Sequence, residues 1–147
     1  MFQLHEISES GAVAVPLARA GKLPEQVLAA TASFYRRAGF HPPWVSYLAV
    51  AGGEAVGCCS FKSGPRDGCV EIAYFTFPPH EGKGFATKMA EGLIAIAGRQ
   101  DKVLRVTART LPEENASTAI MKKLGFVNQG PVQDPEDGTV WEWSRRP

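Results

Sequence analysis

Long apolar runs are missing from this chain. Nowhere does it approach the about 18 uninterrupted apolar residues that a membrane-spanning helix needs, so no membrane partner is expected. Its first residues, MFQLHEISES, lack a basic region followed by an apolar one, so no secretory leader is expected. An excess of one charge is missing too. The formal net charge is +1 over 147 residues, which speaks against general nucleic-acid binding, a function that asks for a clear basic excess. Cysteine is scarce and odd in number: Cys58, Cys59 and Cys69. The adjacent pair lies in a strand pattern that sends its side chains to opposite faces. There is no C-x-x-C and no His at ligand spacing, so the cysteines read as small apolar packing residues in a reduced, cytoplasmic protein, with no metal. Repeats, low-complexity tracts and linkers are absent. One domain over residues 1–147 is expected.

What is present alternates between two periods. Met1–Ile7 reads as a strand, and Ser8–Lys22 is rich in Gly, Ala and Ser without a clear pattern. Pro24–Ala38 reads as a helix with Val27, Thr31, Phe34 and Ala38 at helical spacing, closed by Gly39. Val45–Ala51 and Ala55–Lys62 read as a hairpin across Gly52-Gly53-Glu54. Strand Cys69–Phe77, helix Gly84–Ala97 and strand Val103–Arg109 follow. That unit is long enough for a right-handed crossover, so its two strands are expected to be parallel neighbours. Helix Asn115–Leu124 and strands Phe126–Gln133 and Thr139–Ser144 complete the chain. The order β-α-β-β-β-α-β-α-β-β predicts an α/β (α+β) domain with a mixed sheet.

The stretch VEIAYFTFPPHEGKGFAT, Val70–Thr87, carries the chemistry. Gly82 and Gly84 permit a sharp turn and close approach of another group to the backbone. The helix that follows presents unpaired N–H groups and a positive dipole end, an arrangement suited to a phosphate, with Lys83 at its mouth. Gly-x-Gly alone is a weak signal, since a tight strand-to-helix turn without ligand has the same pattern. Thr87 stands where a dinucleotide fingerprint needs Gly or Ala, and Lys83 is followed by Gly84 rather than Ser or Thr, so neither named phosphate motif applies.

Two motifs in order, GKGFATKMAEGL after the strand VEIAYFTFP and LPEENASTAIMKKLGF from Leu111 to Phe126, resemble the GNAT superfamily of acetyl-CoA-dependent N-acetyltransferases. The second is similar to the branch of ribosomal-protein N-terminal acetyltransferases. The resemblance covers roughly residues 45 to 145 and implies a mostly antiparallel sheet of about seven strands with helices on both faces. It implies strands splayed near Glu71 and Val103 to hold acetyl-CoA, with the backbone of Tyr74, Phe75 and Thr76 pairing with the pantetheine arm. It implies that the N–H groups of Gly82, Lys83, Gly84, Phe85, Ala86 and Thr87 hold the pyrophosphate. The sequence departs from the family at two places. Glu81 puts a carboxylate where Arg or Gln is common. Met121 stands where the family often has a tyrosine that acts as general acid, and methionine has no proton to give.

An acceptor amine attacks only when deprotonated, so a base is needed. Alternation puts Glu71 on one face with Ala73, Phe75 and Phe77, company expected to raise its pKa by desolvation. The plainer reading is an edge glutamate paired with Arg105 or Arg109, and Glu114 is the second choice of base. Ser117 matches the serine of the second motif and stands in for the missing tyrosine as donor to the departing thiolate; its plainer reading is a local helix cap. Asn115 either caps the same helix or holds a pantetheine amide. A backbone N–H near Tyr74 or Phe75 is the expected oxyanion donor. Trp141 and Trp143 read as packing, His41-Pro42-Pro43-Trp44 as a turn, and Arg36-Arg37 as a solvated face. The chain is expected to be an N-acetyltransferase acting on an amine acceptor, a small molecule or peptide, by direct attack in a ternary complex, as a monomer or homodimer. The alternatives are an acyl-CoA-binding module without turnover and a binder of a different nucleotide. Acceptor contacts are expected from Ser8–Trp44 and from the Asp134–Gly138 turn.

Overall fold

The structure, a computed structural model, describes residues 1–14 and 22–146. Residues 15–21, about half of the Gly/Ala/Ser-rich stretch, lie outside the described residues. The elements are β1 (Phe2–Glu6), α1 (Lys22–Ala38), β2 (Ser46–Ala51), β3 (Glu54–Phe61), β4 (Cys69–Thr76), α2 (Phe85–Gln100), β5 (Arg105–Thr110), α3 (Ala116–Lys123), β6 (Val127–Asp134) and β7 (Gly138–Arg145). A single 3₁₀ turn, Pro78–His80, joins β4 to the glycine bend. The element order is the one the sequence predicts, with boundaries moved by at most three residues. Helix α1 starts two residues early, leaving Pro24 inside its first turn, where no intrahelical N–H is required. Strand β5 starts at Arg105, because Val103 sits in a tight turn with its N–H on Asp101 Oδ1 at 3.0 Å and is exposed.

The strands form one seven-stranded sheet in the order β1-β2-β3-β4-β5-β7-β6. Every neighbouring pair is antiparallel except β4 and β5, which are parallel as the crossover requires. The β4–β5 ladder is short. It pairs Cys69, Val70 and Glu71 with Arg105, Val106 and Thr107 and then stops. Beyond it β4 continues on β3 as far as Thr76, and β5 continues on β7 as far as Thr110. The two strands therefore part in the middle of the sheet, and the edge of β4 from Ile72 to Thr76 loses its partner on one side.

Alternation sorts the helices to opposite faces. In β3, Cys58 and Ser60 share a cavity with Thr31 of α1. Gly57 instead faces Met89 of α2. The register Ser60↔Ala73 and Cys58↔Phe75 carries this onto β4, placing Glu71, Ala73 and Phe75 on the α1 face and Ile72 and Tyr74 on the other. Helix α2 buries Met89, Ala90, Leu93 and Ala97 at helical spacing. Burial of each large side chain of this kind contributes about 1.5–3 kcal/mol. Tyr35 anchors α1. Its hydroxyl donates to the Ile7 carbonyl at 2.9 Å and accepts from the Ser46 N–H at 2.9 Å, joining the helix to the ends of β1 and β2. Trp143 is buried, and its Nε1 donates to Thr110 Oγ1 at 2.9 Å; Trp141 packs edge-on against it. Both tryptophans are packing residues, as the sequence predicts.

Candidate active site

The parting of β4 from β5 opens a cavity of about 450 Å³. Glu71, Tyr74, Arg109, Asn115, Ser117 and Asp134 are among its lining residues. It meets a larger cleft of about 660 Å³ that runs from Tyr74, Phe75 and Thr76 to Gly82, Gly84, Phe85, Ala86 and Thr87. Tyr74 and Ser117 line both. The structure thus brings the predicted strand edge and glycine bend into one cleft, with Glu71 and Ser117 at the adjoining gap. Lys83 is exposed beside the bend.

The bend has the geometry its glycines permit. Gly82 has φ 76° and Gly84 φ 83°, left-handed values that strain any residue with a Cβ. Gly84 is the N-cap of α2, and no side chain caps that helix. The first-turn N–H groups are left to an outside acceptor. Glu81 is exposed, lines the cleft and makes no ion pair with any described residue.

Around Glu71 the expected apolar setting is corrected. Lys62 Nζ lies 3.3 Å from Glu71 Oε2, because Lys62 follows β3 on the face that Glu71 shares. Sequence alternation along one strand does not show what the neighbouring strand brings alongside. The buried Glu71 Oε2 accepts no hydrogen bond. Neither Arg105 nor Arg109 is its salt-bridge partner: Arg109 Nη1 binds Asp134 at 3.1 Å and its Nε binds Glu142 at 3.3 Å. Glu114, the second choice of base, is exposed just before α3 and paired with Lys122 at 2.9 Å, and it is not among the residues lining the gap.

Helix α3 separates the roles of its first residues. Asn115 is the N-cap: its Oδ1 accepts the Thr118 N–H at 3.0 Å, while Thr118 Oγ1 accepts the Asn115 N–H at 2.9 Å, a reciprocal box. Ser117 therefore does not cap. Its Oγ lies 3.2 Å from the Tyr74 hydroxyl. Sequence reasoning missed that hydroxyl, assigning Tyr74 a backbone role alone. The available signal was alternation, which puts Tyr74 on the face opposite Glu71. Burial pushes the Tyr74 phenol up from its ordinary value, and the Ser117 hydrogen bond opposes this. Met121 is fully buried in the core. Burial also pushes the Cys58 thiol up to about 11 and raises Cys59 further, leaving both as un-ionised thiols at neutral pH.

Asp134 closes the β6–β7 hairpin. Its Oδ1 accepts the N–H groups of Glu136 at 2.9 Å and Asp137 at 3.1 Å. These bonds, followed by the Arg109 guanidinium, hold the carboxyl at about 2, below the ordinary 3.8. A lowered carboxylate contributes stability above its ordinary value, and the contribution disappears as pH falls through the folded one. The thermal midpoint is expected to fall between pH 4 and pH 2 more steeply for this protein than for Asp134→Asn. Parallel slopes would show that the turn does not depend on this charge.

Residues 13–127 match the family described as the acetyltransferase (GNAT) domain. The chain is similar to the uncharacterized N-acetyltransferase YjdG of Bacillus subtilis, 35% identical over 75 residues, which are 50% of this chain and 45% of that protein. It spans about half the length of the curated relatives it matches. Among solved structures it resembles the RimL ribosomal L7/L12 alpha-N-protein acetyltransferase in complex with coenzyme A. The TM-score is 0.70 at 17% identity, covering 99% of this chain and 93% of that one. It also resembles AAC(6')-Ib in complex with ribostamycin and coenzyme A, with a TM-score of 0.61 at 24% identity over 69% of this chain and 63% of that one.

Proposed function

The chain belongs to the GNAT acetyltransferase family, and on that premise we propose that it transfers the acetyl group of acetyl-CoA to a primary amine of a small molecule or a protein N-terminus, by direct attack in a ternary complex. One observation carries the reading. The unpartnered edge of β4 and the uncapped start of α2 share a single cleft. A strand edge offers N–H and C=O groups to an extended amide-bearing chain. An uncapped helix start offers N–H groups to phosphate. Pantetheine pyrophosphate has both features in that order.

Acetyl-CoA supplies an activated acyl carbon and a thiol leaving group; the remaining chemistry falls to the protein. At pH 7 about one α-amine in ten is unprotonated, and about one lysine amine in a few thousand. Glu71, which lines the gap with its Oε2 3.3 Å from Lys62 Nζ, takes the proton from the acceptor directly or through water. A backbone N–H near Tyr74 or Phe75 faces the developing oxyanion. Ser117 faces the departing sulfur. Residue alternation on β4 divides this labour, with the base on the α1 face and the donor on the other. A cavity of about 390 Å³ on the α1 side is lined by Val27, Thr31, Phe34, Phe61 and Glu136 and reaches Lys62 beside Glu71, which supports entry of the acceptor there.

Calorimetry with coenzyme A, followed by a thiol-release screen of acetyl-CoA against amino acids, polyamines, aminoglycosides and N-terminal peptides, tests the proposal. Binding with acceptor-dependent thiol release is expected. No binding refutes the whole reading. Binding without release by any acceptor class favours the module without turnover.

Glu81 provides a separate check. An exposed carboxylate beside a pyrophosphate repels it weakly through solvent. Glu81→Gln is expected to tighten coenzyme A binding about two- to five-fold at low salt, and by less at high salt. An unchanged affinity at both salt levels would place the Glu81 carboxylate away from the phosphates.

A further inference from the structure

We infer that the Tyr74 hydroxyl stands behind Ser117 as a positioning residue, holding its Oγ toward the thioester sulfur and resupplying the proton Ser117 gives up. This rests on the acetyl-CoA reading above. Four observations support it. Tyr74 and Ser117 are 3.2 Å apart across the mouth of the gap. Both line the gap and the long cleft, so the pair sits at their junction. The Asn115–Thr118 box satisfies the helix start without Ser117, whose side chain bonds only to Tyr74 among the described residues. And Met121, fully buried, leaves its own helix position without a donor.

A serine hydroxyl is a poor acid, so Ser117 cannot release a proton to sulfur unless another arrives at the same moment. As the C–S bond breaks and its electron pair goes to sulfur, Ser117 gives its proton to that sulfur and takes one from Tyr74. The resulting phenolate is then neutralised by the proton that Glu71 removed from the amine, carried by water. The net transfer is one proton from amine to thiol. The register of β4 explains why this hydroxyl is available: Tyr74 lies beyond the last residue paired with β5, and on the face opposite Glu71.

The test needs no acceptor. Coenzyme A is bound to the protein and its thiol is titrated by the ultraviolet absorbance of the thiolate, with desulfo-coenzyme A as the blank that removes the protein's own cysteines. The bound thiol is expected to ionise at lower pH than free coenzyme A. In Tyr74→Phe the thiolate fraction at a pH below both midpoints is expected to fall about tenfold, one pKa unit, with a much smaller change in calorimetric affinity for desulfo-coenzyme A. Lys62, Glu71, Arg109, Asp134 and Asp137 face the gap in both proteins and cancel in the comparison. A bound thiol that titrates alike in the two proteins overturns the inference, as does equal loss of affinity for both ligands with an unmoved titration, the mark of mere packing. If Tyr74→Phe does not fold, Ser117→Ala replaces it, with the same expected shift and the same overturning result. Failure of the unaltered protein to bind coenzyme A refutes the functional reading instead.

Discussion

Glu71→Gln is expected to lower the rate of acetyl transfer about 10²–10⁴-fold, the usual worth of a positioned general base, and to leave coenzyme A affinity unchanged. The substitution keeps size and shape and removes the negative charge, and with it the ability to accept a proton. It leaves Lys62 without its 3.3 Å partner, but that side chain is 46% exposed, so solvent can take over the charge at a cost within about 1 kcal/mol. Loss of rate through unfolding is therefore not expected, and an unchanged thermal midpoint checks it. The cleft proposed for coenzyme A is lined from β4 at Tyr74 onward and does not include Glu71. That separation is why binding and rate should part. A rate within about threefold of the unaltered protein would make Glu71 a salt-bridge residue only. A matched fall in affinity and rate would put it in the cofactor cleft, contrary to its position on the α1 face.

What the sequence made legible was whatever depends on one strand or one helix at a time. The periods of 2 and 3.6 gave the elements, the crossover length gave the single parallel pair, and Gly82 and Gly84 gave the bend. The parting of β4 from β5 came only by resemblance, because it is a property of where a ladder stops. Side-chain neighbours drawn from different elements were the least legible. Lys62 reaches Glu71 because β3 and β4 run antiparallel with Phe61 opposite Ile72. Tyr74 reaches Ser117 across 43 positions of sequence. Arg109 turns to Asp134 and Glu142 because β5 pairs with β7, a neighbour that follows it by more than 25 residues. Glu71, Ser117 and Arg109 were read as polar and chemically able, Lys62 and the Tyr74 hydroxyl were not, and in each case the partner was fixed by register or by packing between elements. Asn115 is the instructive contrast. Its capping partner, Thr118, is three residues away on the same helix, so the reading as a cap could be made locally.

Gly57→Ala and Gly98→Ala are expected to change stability in opposite directions. A Cβ on Gly57 would lie 2.5 Å from the Phe75 carbonyl oxygen and 2.9 Å from Met89 Cε. The methionine end can swing away; the carbonyl cannot, because it belongs to a strand paired along β3. Relief requires β4 to move off β3 where Gly57 opposes Thr76, next to the edge assigned to pantetheine. Overpacking of this kind costs about 1–3 kcal/mol, partly offset by about 0.4–1 kcal/mol from a stiffer unfolded chain. The midpoint should drop by several degrees, and coenzyme A binding should weaken because the ladder edge is displaced. Gly98 lies exposed in α2, at ordinary helical φ, and a Cβ there meets nothing within 4 Å. Alanine there should add about 0.5–1 kcal/mol of stability, the helix preference of alanine over glycine, and leave binding alone. Thermal melts and coenzyme A calorimetry on the two variants decide the matter. If Gly57→Ala melts with the unaltered protein and binds coenzyme A as tightly, the close approach of β3 to the Phe75 carbonyl is not what fixes the position of the β4 edge.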